Sequence, residues 1–134
     1  MTRFLRFCVV GAIGFIVDAG ILVMLTRLLG IGPIRSRAVS FTVAVIITWT
    51  MNRIWAFRDR QQSSIPRELI FYITMQILGL TVNYALYTGM VLYASPPFNY
   101  PLISLCIASA VALSFNYIAM LKYVFPHKPT SVNN

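Results

Sequence analysis

The sequence predicts an all-α membrane protein with four transmembrane helices, arranged as two repeated helical hairpins. Of its 134 residues, 58% are hydrophobic and 10% are charged, whereas a soluble domain has roughly a quarter charged residues. The longest uncharged run extends from Leu69 to Leu121. Such a run is long enough for two helices that cross a bilayer, at about 20 residues each. Matching residue patterns in the two halves of the chain predict the repeat.

Four apolar segments are separated by turns that contain glycine, proline or charged residues. The predicted spans cover residues 7–29, 38–57, 69–94 and 102–123. The second span has 15 uncharged residues between Arg37 and Arg53, so we expect both arginines to extend to the interfaces. Pro66 and Glu68 favour the start of a helix just before the third span.

The distribution of Lys and Arg predicts that both termini lie in the cytoplasm. Eight of these residues flank the side that holds the termini and three flank the other, which follows the positive-inside rule. Residues 1–125 are predicted to form one four-helix transmembrane domain, followed by a polar cytoplasmic tail at residues 126–134. The net charge of +8 lies at the ends of apolar runs rather than along one polar face, so no nucleic-acid partner is expected.

The predicted topology also fixes the environment of the aromatic and cysteine residues. Six aromatic residues near the membrane surfaces are expected to form an aromatic belt. They are Trp55, Phe57, Tyr93, Tyr100, Tyr123 and Phe125. Cys8 and Cys106 lie at opposite predicted depths, so they cannot form a disulfide within one subunit.

Two residue patterns in the first half of the chain recur in the second half. At an offset of 65, Phe7, Gly11, Gly14 and Asp18 are matched by Tyr72, Gln76, Gly79 and Asn83. At an offset of 68, Trp55-Ala56-Phe57 is matched by Tyr123-Val124-Phe125, and Trp49 by Tyr117. Each half is thus predicted to be a hairpin that starts and ends in the cytoplasm. The two hairpins would be related by a pseudo-two-fold axis along the membrane normal.

Asp18 lies near the middle of the first predicted span. An ionised carboxylate there costs roughly 2.5–3.5 kcal/mol on the insertion scale, so it must find a polar partner or take up a proton. Gly11 and Gly14 share its helix face and are expected to let another helix approach closely. The functional interpretation of Asp18 is a contact to a substrate hydroxyl group or a proton-coupling site. The structural interpretation is an interhelical hydrogen bond that holds the bundle together.

Uncharged polar residues in the second half extend this polar face. Asn83 is the counterpart of Asp18, Gln76 lies two turns nearer the cytoplasm, and Asn116 lies in the fourth span. Thr48 is the counterpart of Asn116 in the second span. Asn and Gln in membranes often serve only to hold helices together. For each residue alone, that role and contact with a ligand both stay open.

A cationic cluster is predicted at the cytoplasmic end of the second span. Asn52 and Arg53 close that span, and Arg6, Arg58 and Lys122 fall near the same level. Guanidinium groups offer planar bidentate donors to a phosphate. Positive-inside charge alone explains Arg58, whereas for Arg53 both interpretations stay open.

The sequence contains no catalytic constellation. The one histidine, His127, lies in the tail, and the three carboxylates are too widely spaced for a compact acid–base pair. These carboxylates are Asp18, Asp59 and Glu68. No metal-ligand cluster and no phosphate-binding glycine loop is present either. We therefore expect neither enzymatic activity nor a metal or other cofactor.

These patterns resemble the GtrA-like family of small four-span membrane proteins. The first span, from Phe7 through Gly11 and Gly14 to Asp18, is similar to the family's F-x-x-V-G-x-x-G-x-x-x-D pattern. Asn52-Arg53-Ile54-Trp55-Ala56-Phe57 is similar to its N-R-x-W-x-F signature, and Asn83 and Asn116 match its polar positions. Family members often repeat an Arg near the end of the fourth span. Here Lys122 stands one position later, which argues against a symmetric phosphate clamp.

The resemblance implies translocation of a polyprenyl-phosphate-linked monosaccharide across the bacterial inner membrane, for modification of cell-surface polysaccharide or lipid A. The phosphate would be captured by the cationic cluster of Arg6, Asn52, Arg53 and Lys122. The sugar would be contacted by Asp18, Gln76, Asn83 and Asn116, with Trp55 or Trp49 stacked on its ring. We also expect contacts with membrane lipids, a homo-oligomer in the form of a dimer, and membrane glycosyltransferases as further partners.

Two other functions fit four spans. A small proton-coupled exporter of lipophilic cations would use Asp18 to exchange a proton for its cargo, although the cytoplasmic basic residues disfavour cationic cargo. A membrane adaptor would recruit glycosyltransferases without moving a lipid, and it would tolerate substitution of the polar residues within the membrane.

Overall fold

The computed structural model describes residues 1–60 and 63–127, and the regular elements of this part are all helices. Four of them are long and apolar enough to cross a membrane, which confirms the predicted fold class. The chain divides into two compact units, Met1–Arg60 and Gln61–Asn134, which we call the first and the second hairpin. From Lys128 onward, the predicted tail lies outside the described residues.

The first hairpin consists of α1 (Arg3–Val23) and α2 (Pro33–Met51). Each continues into a π-helical turn, at Met24–Leu28 and at Asn52–Ala56. The Thr2 side chain accepts a hydrogen bond from the Leu5 N–H (3.4 Å) and caps α1. α2 begins at Pro33 rather than near Ala38, since proline is pre-organised for the first turn of a helix. Arg37 therefore lies inside the second helix rather than just before it.

The second hairpin consists of α3 (Ile65–Tyr93) and α4 (Pro101–Ala119), which continues into a π-helical turn at Met120–Val124. Pro66 and Glu68 lie in the first turn of α3, as predicted. The acidic residue is suited to that position because the N-terminus of a helix carries partial positive charge.

The two hairpins bury the same positions of their second helices. At an offset of 68, the buried pairs include Ser36 with Ser104, Ala44 with Ala112, and Ala56 with Val124. The π-helical turns after the two second helices, Asn52–Ala56 and Met120–Val124, also correspond residue by residue. Ser36 donates to the Ile31 carbonyl (3.2 Å), and Ser104 donates to the Phe98 carbonyl (2.7 Å). The predicted internal repeat thus extends to burial and to the geometry of the turns.

In each hairpin, a glycine of the first helix contacts a polar residue of the second helix. A Cβ atom on Gly14 would lie closer than 3.0 Å to Thr48 Cγ2, and one on Gly79 would lie closer than 3.0 Å to Asn116 Oδ1. Glycine is therefore required at both contacts if the helices are to keep this separation. Gly11 does not serve in this way, because no heavy atom lies within 4 Å of its Cβ position.

Two aromatic residues predicted for the interfacial belt lie instead in the core. Phe57 and Phe125 each follow a π-helical turn and are 0% exposed. The Phe57 ring packs edge-on against Phe7, with ring centroids 6.1 Å apart. A π-helical turn is wider than an α-helical turn, and here it directs these rings inward. They lie at the end of each hairpin opposite the loop that connects its two helices, which we call the open end, and they close it. Tyr93 and Tyr100 are exposed, as the belt requires.

An ion pair joins the start of α1 to the segment that follows the second helix. Arg3 Nη2 donates to Asp59 Oδ2. This hydrogen bond holds the pKa of the Asp59 carboxyl below its usual range, against the opposing effect of desolvation. The open end of the first hairpin is thus closed by Phe57 inside and by this ion pair outside.

We predict that Gly14→Ala destabilises the first hairpin, whereas Gly11→Ala does not. Both changes gain the same helix propensity, about 1 kcal/mol, but only the first places a methyl group against Thr48 Cγ2. The expected loss for Gly14→Ala is about 1–3 kcal/mol in the free energy of unfolding, measured in mixed detergent–SDS micelles. Thr48→Ser removes the Cγ2 atom and should rescue Gly14→Ala. Equal stability of the two alanine variants would contradict the contact.

Candidate functional site

Asp18 forms an ion pair with Arg37 inside the first hairpin. Arg37 Nη1 donates to Asp18 Oδ2, and the side chain of Asp18 is 15% exposed, compared with 55% for Arg37. Asp18 Oδ1 is buried and has no hydrogen-bond partner among the described residues. The carboxylate thus has the polar partner that its position demands. The structure thus gives Arg37, which was predicted to extend to the nearer interface, a partner in Asp18.

The register of the hairpin shows how far the Arg37 side chain reaches. Gly14 lies level with Thr48, so Asp18, one turn further along α1, lies level with Ala44 of the antiparallel α2. Arg37 is seven residues from that level, or about 10 Å at 1.5 Å per residue. Its side chain therefore extends toward the middle of the hairpin. Pairing with a carboxylate in apolar surroundings favours this direction over extension to the interface.

The corresponding contact in the second hairpin is uncharged. Asn83 Nδ2 donates to Ser109 Oγ (3.2 Å). At the offset of 68, Ser109 corresponds to Phe41, whose ring offers no side-chain oxygen, and Arg37 lies one helical turn before Phe41. The polar partner thus lies on the same face of the second helix in both hairpins. In the first hairpin it lies one turn nearer the loop that connects the two helices. A phenylalanine at the repeat position of a serine is the signal that could have predicted this displacement.

Three uncharged polar residues form what we call the polar ladder of the second hairpin: Tyr72, Gln76 and Asn116. Gln76 Nε2 donates to the Tyr72 hydroxyl (3.3 Å), and Asn116 Nδ2 donates to Gln76 Oε1 (3.4 Å). Asn116 Oδ1 is buried and has no hydrogen-bond partner among the described residues. This oxygen is the atom that packs against Gly79, so its desolvation cost belongs to the close contact between the two helices.

The cationic residues of the first hairpin gather around the π-helical turn Asn52–Ala56. Arg6 Nη1 donates to the Trp55 carbonyl (3.4 Å). The Arg53 guanidinium lies 5.7 Å from the centroid of the Trp49 ring, a cation–π contact that fixes its position. Asn52, also predicted to contact a substrate, is 1% exposed and lies inside the hairpin. Arg6 is thus held by the backbone carbonyl of Trp55, and Arg53 is held by the ring of Trp49.

Lys122 lies on a different helix face from Arg53. Arg53 corresponds to Leu121, so the displacement of one residue turns the cation by about 100° around the helix. Lys122 lines an open groove of about 380 Å³ on the second hairpin. The other lining residues are Met75, Leu78, Phe115, Ile118, Ala119 and Tyr123. The second hairpin therefore presents its cation in an apolar groove, and the first presents its cation over an aromatic ring.

The remaining chemistry of the site is limited. Among residues 1–60 and 63–127, no group of three or more His, Cys, Asp or Glu side chains could hold a metal ion. Cys8 and Cys106 are both free, as predicted. What the site offers is one ion pair, uncharged hydrogen-bonding groups and cations beside apolar or aromatic surfaces.

Comparison with known protein families gives a match that spans this whole arrangement. The family model described as GtrA/DPMS, transmembrane domain, matches residues 6–125. The matched segment contains the Asp18–Arg37 ion pair, the polar ladder, the cationic turn around Arg53 and the groove at Lys122.

We predict that Asp18 and Arg37 are energetically coupled. Asp18→Asn leaves the arginine unpaired and Arg37→Gln leaves the carboxylate unpaired, whereas the double variant removes both charges. The coupling in the free energy of unfolding should be about 1–2 kcal/mol, within the usual range for contacting residues and below that of a fully buried pair because Arg37 is half exposed.

The matched control for this cycle is Arg35→Gln, which removes a cation from the same turn of α2. Combined with Asp18→Asn, it should give additive losses. Coupling as large for Arg35 as for Arg37 would mean that net charge, rather than the ion pair, sets the stability.

Proposed function

The chain belongs to the GtrA/DPMS transmembrane-domain family, and on that premise we propose that it moves a polyprenyl-phosphate-linked monosaccharide between the leaflets of the bacterial cytoplasmic membrane. At family level, membership supports a membrane protein involved in the translocation of sugars on glycosyl-carrier lipids, in a family known as non-catalytic. The transported sugar would serve modification of cell-surface polysaccharide or lipid A. We place both termini in the cytoplasm, as the distribution of Lys and Arg predicts.

The polar ladder is the observation that carries this proposal. A sugar that crosses a bilayer loses its water, so its hydroxyl groups need uncharged donors and acceptors within the membrane. Tyr72, Gln76 and Asn116 supply such groups along one hairpin. Asp18 is already engaged by Arg37, so we assign the sugar contacts to the ladder and to Asn83.

The phosphate and the isoprene chain of the substrate are assigned to other residues. Arg53, held over Trp49, and Arg6, held by the Trp55 carbonyl, are placed to receive the phosphate at the cytoplasmic end. The Trp55 side chain would stack on the sugar ring. Considered by itself, the second hairpin holds Lys122 in an apolar groove, and isoprene units can pack against Leu78 and the other lining residues there.

We further propose that the active form is a homodimer within the membrane. Many apolar side chains on both hairpins are exposed, as expected of surfaces that contact lipid or a second subunit. Four helices enclose little space for a sugar, and a symmetric dimer would supply the other wall of the path.

The Asp18–Arg37 ion pair weighs against the alternative of a proton-coupled exporter of lipophilic cations. Such an exporter needs a membrane carboxylate that its cationic cargo can reach. Here a resident guanidinium already occupies Asp18 Oδ2. A cargo cation would have to displace a bidentate-capable donor that is tethered to the same hairpin.

The test of the phosphate contact is the rate of transfer of a polyprenyl-phosphate-linked sugar between leaflets in proteoliposomes that contain only this protein. Arg53→Ala should lower the rate by about ten- to a hundredfold, the loss expected for one charge-assisted hydrogen bond of roughly 1.5–3 kcal/mol. Arg58→Ala removes an exposed cation two residues beyond Ala56 and should leave the rate within about twofold. No transfer by the wild-type protein alone would favour the adaptor function over translocation.

The polar ladder has its own matched pair of variants in α4. Asn116→Ala removes the amide that bonds Gln76, and we expect the transfer rate to fall while binding of the sugar-free lipid phosphate is unchanged. Ser114→Ala removes a hydroxyl that donates only to the Ala110 carbonyl of its own helix (2.9 Å), so transfer should stay at the wild-type rate. A similar loss in both variants would count against sugar contacts at the ladder.

A further inference from the structure

Arg37 is the accessible member of the ion pair in the first hairpin. Its side chain is 55% exposed, whereas that of Asp18 is 15% exposed. A guanidinium carries five N–H donors, and the described hydrogen bonds of Arg37 use Nη1 alone, on Asp18. The outer edge of this guanidinium can therefore receive a second anion while the inner nitrogen stays on the carboxylate.

An open apolar groove lies beside this guanidinium. It has a volume of about 410 Å³ and is lined by Leu22, Pro33, Ile34 and Arg37. The only charged group in the lining is Arg37. An apolar wall that ends at a cation fits a lipid whose chain is apolar and whose headgroup is anionic.

The position of Arg37 separates this groove from the cationic turn. Arg37 lies near the start of α2 and Arg53 at its end, sixteen residues further on, which is about 24 Å along a helix. That separation approaches the thickness of the hydrocarbon core, about 30 Å. The backbone positions of Arg37 and Arg53 therefore lie toward opposite surfaces of the membrane, and the Arg37 side chain extends from its end of the helix back toward Asp18.

We propose that Arg37 and its groove form a second phosphate site, which receives the polyprenyl phosphate after it has crossed, and that Asp18 keeps this site weak enough to release the lipid. The inference rests on the proposed function and adds the exit end of the path. The ligand class is an anionic polyprenyl phosphate, with its phosphate on Arg37 and its first isoprene units against Leu22 and Ile34.

The role of Asp18 follows from electrostatics in apolar surroundings. A carboxylate on Nη1 repels a phosphate on the opposite edge of the same guanidinium, so binding is weaker than Arg37 alone would give. A transport site must bind firmly enough to accept its ligand and loosely enough to release it. The second hairpin has Leu105 at the position that corresponds to Arg37, so this device is built into the first hairpin only.

The experiment is a titration of undecaprenyl monophosphate, without sugar, into the full-length protein in nanodiscs of zwitterionic lipid. Bound lipid is counted by native mass spectrometry. Asp18→Asn should tighten one site at least about tenfold, in the usual range for coupled sites. Arg37→Gln should remove one bound lipid per chain, and Asp18→Asn with Arg37→Gln should match Arg37→Gln alone. The double variant carries no unpaired charge, so its result does not depend on the folding of a single variant.

Arg35→Gln is the control for charge, because it removes a cation two residues away that lines a different, smaller pocket. It should leave the number of bound lipids and the tightened site of Asp18→Asn unchanged. Weaker or unchanged binding in Asp18→Asn, or loss of a lipid in Arg35→Gln, would overturn the proposal. Equal occupancy by phosphatidylglycerol, or by inorganic phosphate alone, would overturn the assignment to a polyprenyl phosphate.

Leaflet transfer measured on the same variants separates this inference from the proposed function. Wild-type transfer by Arg37→Gln with unchanged lipid binding would remove the second site and leave translocation in place. No transfer by the wild-type protein, together with the binding results expected above, would leave a lipid-phosphate site and remove translocation.

Discussion

The close approach of two helices at a glycine is the constraint on which the rest of each hairpin depends. Between membrane helices the hydrophobic effect gives little attraction, so packing of small residues determines which faces meet. The contacts of Gly14 with Thr48 and of Gly79 with Asn116 fix the register of their hairpins. One turn further along, that register brings Asp18 or Asn83 toward the second helix, where each finds its polar partner.

The same constraint produces different chemistry in the two hairpins. The Thr48 hydroxyl donates to the Ala44 carbonyl of its own helix (2.8 Å), so its methyl group faces Gly14 and the contact needs no further partner. Asn116 bonds instead to Gln76 across the hairpin and leaves Oδ1 unpaired within the described part of the chain. One residue difference at a repeated position therefore separates an interface without cross-helix side-chain hydrogen bonds from the polar ladder.

Hydropathy and spacing were sufficient to predict the four spans and the repeat. Periodicity determines which face a residue occupies, and apolar length determines how far a helix extends. They do not determine how far a long side chain extends along the hairpin to reach a partner on the other helix. The Arg37 guanidinium was for that reason predicted at the interface, although a Phe at position 41 left Asp18 without a nearer partner. The burial of Phe57 depended on a π-helical turn, which has no sequence signal of comparable strength.

Arg37 of α2 and Arg53 of the π-helical turn that follows α2 differ in how each is held. Arg53 rests on the ring of Trp49, which attracts the cation without neutralising it. Arg37 rests on a carboxylate, which neutralises it. An anionic lipid therefore meets an arginine that stacks on a ring at one end of the first hairpin, and an arginine that pairs with a carboxylate nearer the other end. Under the proposed function, this difference would favour capture of the lipid at Arg53 and its release at Arg37, while the supply of lipid would set the direction of transport.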